Sequence, residues 1–431
     1  SLIQFCLKAG QGDGLMNKKL IIVFIAVACL LLISSCGQDN KQASLEEPDF
    51  PDSTPVSNQI APEIIPVPTP EPTPEPTPEP PKTAVLMSAG DCVLHKAFQY
   101  SAYIPEEDRY DFYNIFSSLE EYLAESDVSI ISFESAATNK RNDYTGYPLF
   151  NCPPEIFDTF KFVGFDIVNN SNNHQMDRKL AGMFETRDNI RSRGLDVLGV
   201  YDGEEQRYLI KEVNGIKIGI MAYTYSCNMN ELALTEEERY KHLALIDEER
   251  IKEELTDMEE KVDVSVVCMH WGVEYQQQPT QEQMKLARDM VSWGADVILG
   301  SHPHVVEPSE MIEHNGEQKY VIYSMGNFVS NQRRGASGYP LTHKERAEDS
   351  MLVKVEFEKN PETGKTIIKE VTHIPTWLWR YNENGVYRFK VIPVPHKDFY
   401  QNSEYSEDVL FEAYDSYDRT MNLVQDYRHE P

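Results

Sequence analysis

The sequence predicts an α/β domain with some α+β character, carried behind a disordered Pro-rich tether. Three observations lead there. Short apolar runs recur from residue 83 onward, several closing on a carboxylate, an Asn or a His. Amphipathic helical patterns separate some of these runs, as strands and helices alternate in layered α/β folds. A Pro-Glu repeat separates this region from an apolar N-terminal stretch.

Composition narrows the class. Of 431 residues, 70 are Asp or Glu and 40 are Lys or Arg, a formal net charge of -30, with 41% hydrophobic and 10% aromatic residues. That apolar content supports a sizeable core and excludes a wholly disordered chain. The acidic balance argues against nucleic acid as a partner, because a polyphosphate would meet net repulsion.

The N-terminus reads as an address. Residues 1–15 match no pattern and are expected to lie upstream of the start at Met16. Asn17-Lys18-Lys19 precedes the unbroken apolar run Leu20–Ile33. That run suits a signal peptide and is short for a membrane span, which needs about 20 residues. It ends in Ile33-Ser34-Ser35-Cys36-Gly37, which resembles a bacterial lipobox, so Cys36 is the expected lipidation site. An uncleaved signal anchor is the alternative. Residues 1–36 are thus upstream sequence and signal peptide, and the expected location is the extracytoplasmic face of the membrane, held by lipid. Residues 37–82 form the tether. Within it Pro66–Pro81 reads PVPTPEPTPEPTPEPP. Alternating Pro favours polyproline II at ~3.1 Å per residue, roughly 50 Å over this stretch.

The folded part is expected over residues 83–400, with 401–431 a peripheral acidic extension. Strands are expected at Thr83–Asp91, Asp127–Glu134, Phe165–Asn170, Ile216–Ala222, Val262–Met269, Asp296–Gly300 and Tyr320–Met325. Helices are expected at Asn114–Glu125, Leu180–Arg193 and Thr280–Trp293. Ser350–Phe357 and Thr366–His373 look like an antiparallel addition. Cys92, Cys152, Cys227 and Cys268 show no close spacing. Buried free thiols are the simpler reading for Cys92 and Cys268, and one disulfide cannot be assigned from spacing alone.

Chemistry collects where the expected strands end. Five ends deliver Asp91, Glu134, Asn173-His174, His270, and His302 with His304. In open α/β sheets, sites form beyond the carboxyl ends of strands. Carboxylate, imidazole and amide are ligands for Mn, Fe or Zn, and two such ions can share a bridging acid. Each residue alone has an ordinary reading: a turn for Gly90-Asp91, a cap for Glu134, a polar loop for Asn172-Asn173-His174, an aromatic loop for His270-Trp271-Gly272. His302-Pro303-His304 is stronger, since an extended segment would point both imidazoles the same way.

The order Gly-Asp, Phe-Glu, Asn-Asn-His, His270-Trp271-Gly272, Gly300-Ser301-His302-Pro303-His304 and Tyr323-Ser324-Met325-Gly326-Asn327-Phe328 resembles the poly-γ-glutamate capsule-biosynthesis (CapA) family, within the calcineurin-like metallophosphoesterase superfamily. The resemblance covers about residues 83–335. It implies a metallophosphoesterase-like two-sheet sandwich flanked by helices, with one or two divalent ions. It implies Asp91, Glu134, Asn173, His270, His302 and His304 as ligands and His174 as general acid. Phosphoesterases of that superfamily have a His two residues after the first Asp. Here that position is Val93, and His95 lies four residues on, so one ion subsite is expected to be the weaker.

Three functions follow from the resemblance and the motifs. The first is a metal-dependent hydrolase of a phosphoester or an anionic envelope polymer. The second is a non-catalytic assembly or export factor of capsular poly-γ-glutamate, working beside capsule synthase membrane proteins. The third is a surface-binding lipoprotein, which has no need of such a cluster. Arg333 and Arg334 follow the Gly-Asn-Phe loop and are the expected contacts to an anionic substrate, with a solvated surface as the alternative; Lys344 and Arg346 are further cations of that region.

Overall fold

The computed structural model describes residues 79–203, 206–333, 346–400, 403, 405–425 and 427–428. The expected signal peptide, Cys36, nearly all of the tether, Arg334 and Lys344 lie outside the described residues.

Strand β1 (Lys82–Cys92) runs through the middle of the first sheet. On one side it pairs parallel with β4 (Val128–Phe133), followed by β5 (Ile167–Asn169) and β6 (Asp196–Leu198). On the other it pairs antiparallel with β14 (Asp349–Lys359), then β15 (Thr366–Glu383) and β16 (Val386–Pro393). Short β13 (Asn327–Val329) lies parallel to the end of β1, and β17 (Tyr427–Arg428) adds to β15. A separate hairpin joins β2 (Tyr103–Ile104) and β3 (Arg109–Tyr110).

The second sheet has the order β11 (Ser309–His314), β12 (Glu317–Ile322), β10 (Val297–Ser301), β9 (Val264–His270), β8 (Ile216–Thr224), β7 (Leu209–Val213). Strands β8, β9, β10 and β12 are parallel. Strands β9 and β10 are buried along their whole length and mostly apolar, because both faces of such a sheet are covered.

Period-two alternation sorts the side chains into layers. Ala84, Leu86, Val128 and Ile130 of the first sheet meet Ile218, Ile220, Val264, Val266, Val297 and Leu299 of the second in one buried core. The opposite face of the first sheet, with Met87, Ala89, Ile131 and Phe133, packs on Phe98 of α1 (Lys96–Ala102), Phe116 of α2 (Tyr113–Phe116), and Phe157 and Phe160 of α4 (Ile156–Val163). The outer face of the second sheet packs under α7 (Glu248–Glu259) and α8 (Gln281–Ser292) through Ile251, Leu255, Leu286 and Met290. The result is helix on sheet on sheet on helix, the sandwich expected.

Two expectations are corrected. The single helix at 114–125 is α2, a 3₁₀ turn at Ser117–Leu119, and α3 (Glu120–Leu123). Here the Ser118 hydroxyl donates to the Val391 carbonyl, and serines compete with regular helix through such bonds. The helix expected at Leu180–Arg193 stands as α5 (Lys179–Arg191), and α6 (Glu236–His242) is a capped turn that was not foreseen. The described residues after 400 are not peripheral. Helix α9 (Glu407–Met421) seats Ala413, Ser416 and Thr420 inward, and Arg419 grips the buried carboxylate of Asp349 with both Nε and Nη2 at 2.7 Å.

Candidate metal centre

Five buried strand ends converge. Gly90 lets β1 bulge just before Asp91: the register to β4 shifts between Ala89 and Asp91. A Cβ on Gly90 would lie 2.3 Å from the Gly326 carbonyl oxygen, so the approach of β13 requires glycine here. Asp91 is then held at both ends. Its N–H donates to Gly326 O at 2.9 Å, and its Oδ2 accepts from the His302 N–H at 2.9 Å.

Glu134 follows β4 and is fully buried. One ligand atom each from Asp91, Glu134 and His270 lie within 4.8 Å of one another. His270, the last residue of β9, accepts or donates at both ring nitrogens: Nδ1 to Ser301 Oγ at 3.0 Å and Nε2 to Asn173 Oδ1 at 2.9 Å. The His302 ring lies 4.8 Å from that of His270 between centres, tilted by 53°. His304 brings Nδ1 to 3.8 Å from Asp91 Oδ2 and Nε2 to 3.8 Å from Glu134 Oε1. All six expected ligands, Asp91, Glu134, Asn173, His270, His302 and His304, thus meet in one place.

The backbone of the His302-Pro303-His304 segment differs from expectation. It is not extended: His302 has φ 97° and His304 φ 60°. Strand β10 ends at Ser301, and Asp91 captures the next N–H, which turns the chain over the site. Left-handed conformations at non-glycine residues are sparsely populated and gather at functional sites.

Electrostatics point to a cation. Burial pushes the Asp91 carboxyl up to about 7. Burial, then the neighbouring Asp91 charge, holds the Glu134 carboxyl well above the usual range. Burial drives the His302 imidazole down to about 3, and burial with the adjacent imidazoles holds His270 and His304 well below their ordinary value. Asp91 Oδ1, both Glu134 oxygens, His302 Nδ1 and His304 Nδ1 are buried without a hydrogen-bond partner. Each such atom costs about 1–3 kcal/mol when left unpaired. A divalent ion held by Asp91, Glu134 and His270 would relieve the unpaired carboxylate oxygens, so the donor set fits such an ion.

His174 lies at the rim. Its Nδ1 is 2.7 Å from Asp177 Oδ2, and its Nε2 is 4.0 Å from Glu134 Oε1. Phe150 meets its ring edge-on at 4.7 Å between centres, and the Phe150 N–H donates to the same Asp177 oxygen at 2.6 Å. Asp177 was missed by sequence reasoning, although its three-residue spacing from His174 was a usable signal. Asn228 was also missed, and no signal marked it. Its Oδ1 accepts from Asn173 Nδ2 at 3.3 Å.

Arg333 does not stand as a free cation. It is buried, donates from Nη1 to the Leu378 carbonyl at 2.9 Å, and pairs through Nη2 with Glu348 at 3.3 Å. Neither the substrate contact nor the solvated surface expected of it matches that placement, because a buried guanidinium needs a fixed partner. Val93 is buried in the position where a His would stand. His95 Nδ1 accepts from the Asn331 N–H at 3.3 Å. All four described cysteines are free and buried.

Among solved structures the chain is similar to a novel phosphatase from Mycoplasma pneumoniae, with TM-score 0.40 and 16% identity, covering 68% of this chain and 94% of that one. It is similar to a calcineurin-like phosphoesterase from Bacillus subtilis, with TM-score 0.40 and 13% identity, covering 80% of this chain and 99% of that one. Likeness at this level says nothing of chemistry. By sequence, the chain is 28% identical over 307 residues to the PGA biosynthesis protein CapA of Bacillus subtilis strain 168, covering 64% of this chain and 76% of that protein. It is 28% identical over 260 residues to the capsule biosynthesis protein CapA of Bacillus anthracis, covering 59% of this chain and 60% of that protein. Residues 85–332 match the family described as bacterial capsule synthesis protein PGA_cap. With more than half of its length in that match, the chain belongs to the PGA_cap family of bacterial capsule synthesis proteins.

Proposed function

We propose that this chain is a metal-dependent hydrolase of phosphoester type that serves synthesis or export of capsular poly-γ-glutamate or a related envelope polymer, tethered by lipid at Cys36 outside the membrane. One observation carries the reading: the five buried donor atoms without hydrogen-bond partners on Asp91, Glu134, His302 and His304, gathered beside His270. Asp91, Glu134, Asn173, His270, His302 and His304 would hold the ion. A divalent ion there supplies Lewis-acid polarisation of a phosphoryl oxygen. The chain's own part is orientation and proton delivery. Asp177 fixes the His174 ring through Nδ1, which leaves Nε2 to hand a proton to a departing oxygen. The buried walls keep bulk water from the acids.

The test is metal analysis of the full chain with a panel of phosphomonoesters and phosphodiesters. The expected result is stoichiometric Mn, Fe or Zn and turnover that Glu134→Gln abolishes. A chain that takes up no divalent ion refutes it. Full metal occupancy without turnover, together with loss of polymer export on deletion, supports the second reading, a non-catalytic assembly factor. Val93 favours that second reading, because it leaves one ion subsite short of a ligand. The polymer and the capsule synthase membrane proteins are the partners either reading requires. Among the described residues no helix is long and apolar enough to cross a membrane.

A further inference from the structure

The loop after β8 carries an exposed side chain placed against the metal centre. Tyr225 donates its N–H to the His270 carbonyl at 3.0 Å and lays its ring 4.5 Å from His302 between centres. Three residues on, Asn228 and Met229 stand consecutively in the left-handed region, with φ 53° and 65°. Such backbone is unusual for Met and persists only when its surroundings impose it. The brace is visible: Glu231 accepts from Ser226 Oγ and from the Cys227 N–H, both at 3.0 Å. What the brace presents is the Asn228 carboxamide.

That carboxamide faces Asn173 and His174. Its Oδ1 faces Asn173 Nδ2 at 3.3 Å. Its Nδ2 is 3.5 Å from both His174 Nδ1 and His174 Nε2. A nitrogen equidistant from both ring nitrogens lies along the lone pair of neither, so these are contacts at the outer limit of hydrogen bonding. The amide donors are therefore held beside His174 Nε2 without being satisfied by it, on a residue exposed to solvent.

We propose that Asn228 is a substrate-orienting residue: its Nδ2 donors and His174 Nε2 together grip one acceptor oxygen of an anionic, phosphoryl-type group brought to the centre. This rests on the reading of the cluster as a divalent-metal site. It adds a neutral donor to a rim whose expected cation, Arg333, is held inside by Glu348. Glycine at position 228 would relieve the backbone but remove the donor.

The probe is inorganic phosphate, titrated calorimetrically into the Mn-loaded full chain. Asn228→Asp keeps the shape and replaces the donor by an acceptor; Asn228→Gly removes the side chain and adopts a positive φ freely. The expected result is phosphate affinity weakened about tenfold or more in N228D, since a hydrogen bond to a charged group is lost and a like charge added. N228G weakens it less, while its thermal midpoint stays at or above that of the unmodified chain and its Mn affinity is unchanged. A purely structural role would move the midpoint and leave phosphate alone. Equal phosphate affinity in N228D and the unmodified chain, with Mn retained, overturns this proposal alone. Failure of the unmodified chain to take up Mn overturns the underlying site and this proposal with it.

Discussion

Glu307 lies just behind the His302-Pro303-His304 turn and is fully buried. Its Oε2 accepts from Gln283 Nε2 at 2.9 Å, and its Oε1 has no hydrogen-bond partner. Burial pushes its carboxyl from 4.5 up to about 8, only partly offset by Gln283. A folded value above the unfolded one means the folded state holds the proton longer. The stability from this group is therefore fully present below about 4.5 and is lost as pH rises through about 8. At ~1.4 kcal/mol per pH unit, the interval between those values corresponds to a loss on the order of 3–5 kcal/mol. Glu307→Gln removes the titration while keeping the size and the contact to Gln283. The assay is urea unfolding of both proteins from pH 4 to 9 in chelator. Asp91 and Glu134 titrate in both, so the difference between the two curves isolates Glu307. The variant should gain on the unmodified chain steadily from pH 5 to 8. A difference that stays flat with pH would refute the assignment of a neutral, buried acid at this position.

Further outcomes follow from the geometry. His270→Ala removes a fully buried donor of the cluster, and calorimetric titration should show Mn affinity reduced by about 100-fold or more. Gly90→Ala forces a Cβ to 2.3 Å from the Gly326 oxygen; it should lower the thermal midpoint and, by displacing Asp91, weaken Mn binding as well. Arg419→Ala leaves the Asp349 carboxylate buried without its bidentate partner, which should cost about 3–5 kcal/mol in urea unfolding, with Asp349→Asn in the same chain recovering part of it. Asp177→Asn, if phosphoesterase turnover is found, should reduce it while leaving Mn affinity intact, because Asp177 touches the His174 ring and none of the cluster's donors.

The strands were legible because each is a short run of β-branched and other apolar residues, buried on both faces and closed by a polar residue. Val264–His270 and Val297–Ser301 show it plainly: strand length, core position and terminal ligand all come from one local pattern. The convergence of Asp91, Glu134, Asn173, His270, His302 and His304 followed from the same pattern, since parallel strands put their carboxyl ends on one edge. What escaped was set by distant chain. The left-handed turn at His302 depends on Asp91 reaching across to its N–H. Arg333 looked free because Glu348 and Leu378, its partners, come from a later part of the chain. Helix α9 looked like an acidic tail, and its docking became visible only with Asp349 in view. Asn228 sits in an undistinguished polar loop whose meaning is entirely in what it faces.

The neighbours of β1 have one more consequence. Asp91 sits at the end of a strand whose antiparallel partner, β14, arrives some 260 residues later, beyond the family match at 85–332. A protein trimmed to that matched segment would leave the long flank of β1 bare, with its backbone amides open to any passing strand. Such a fragment is forecast to clump rather than chelate, because the strand that carries the acid is completed only by chain running on to residue 359.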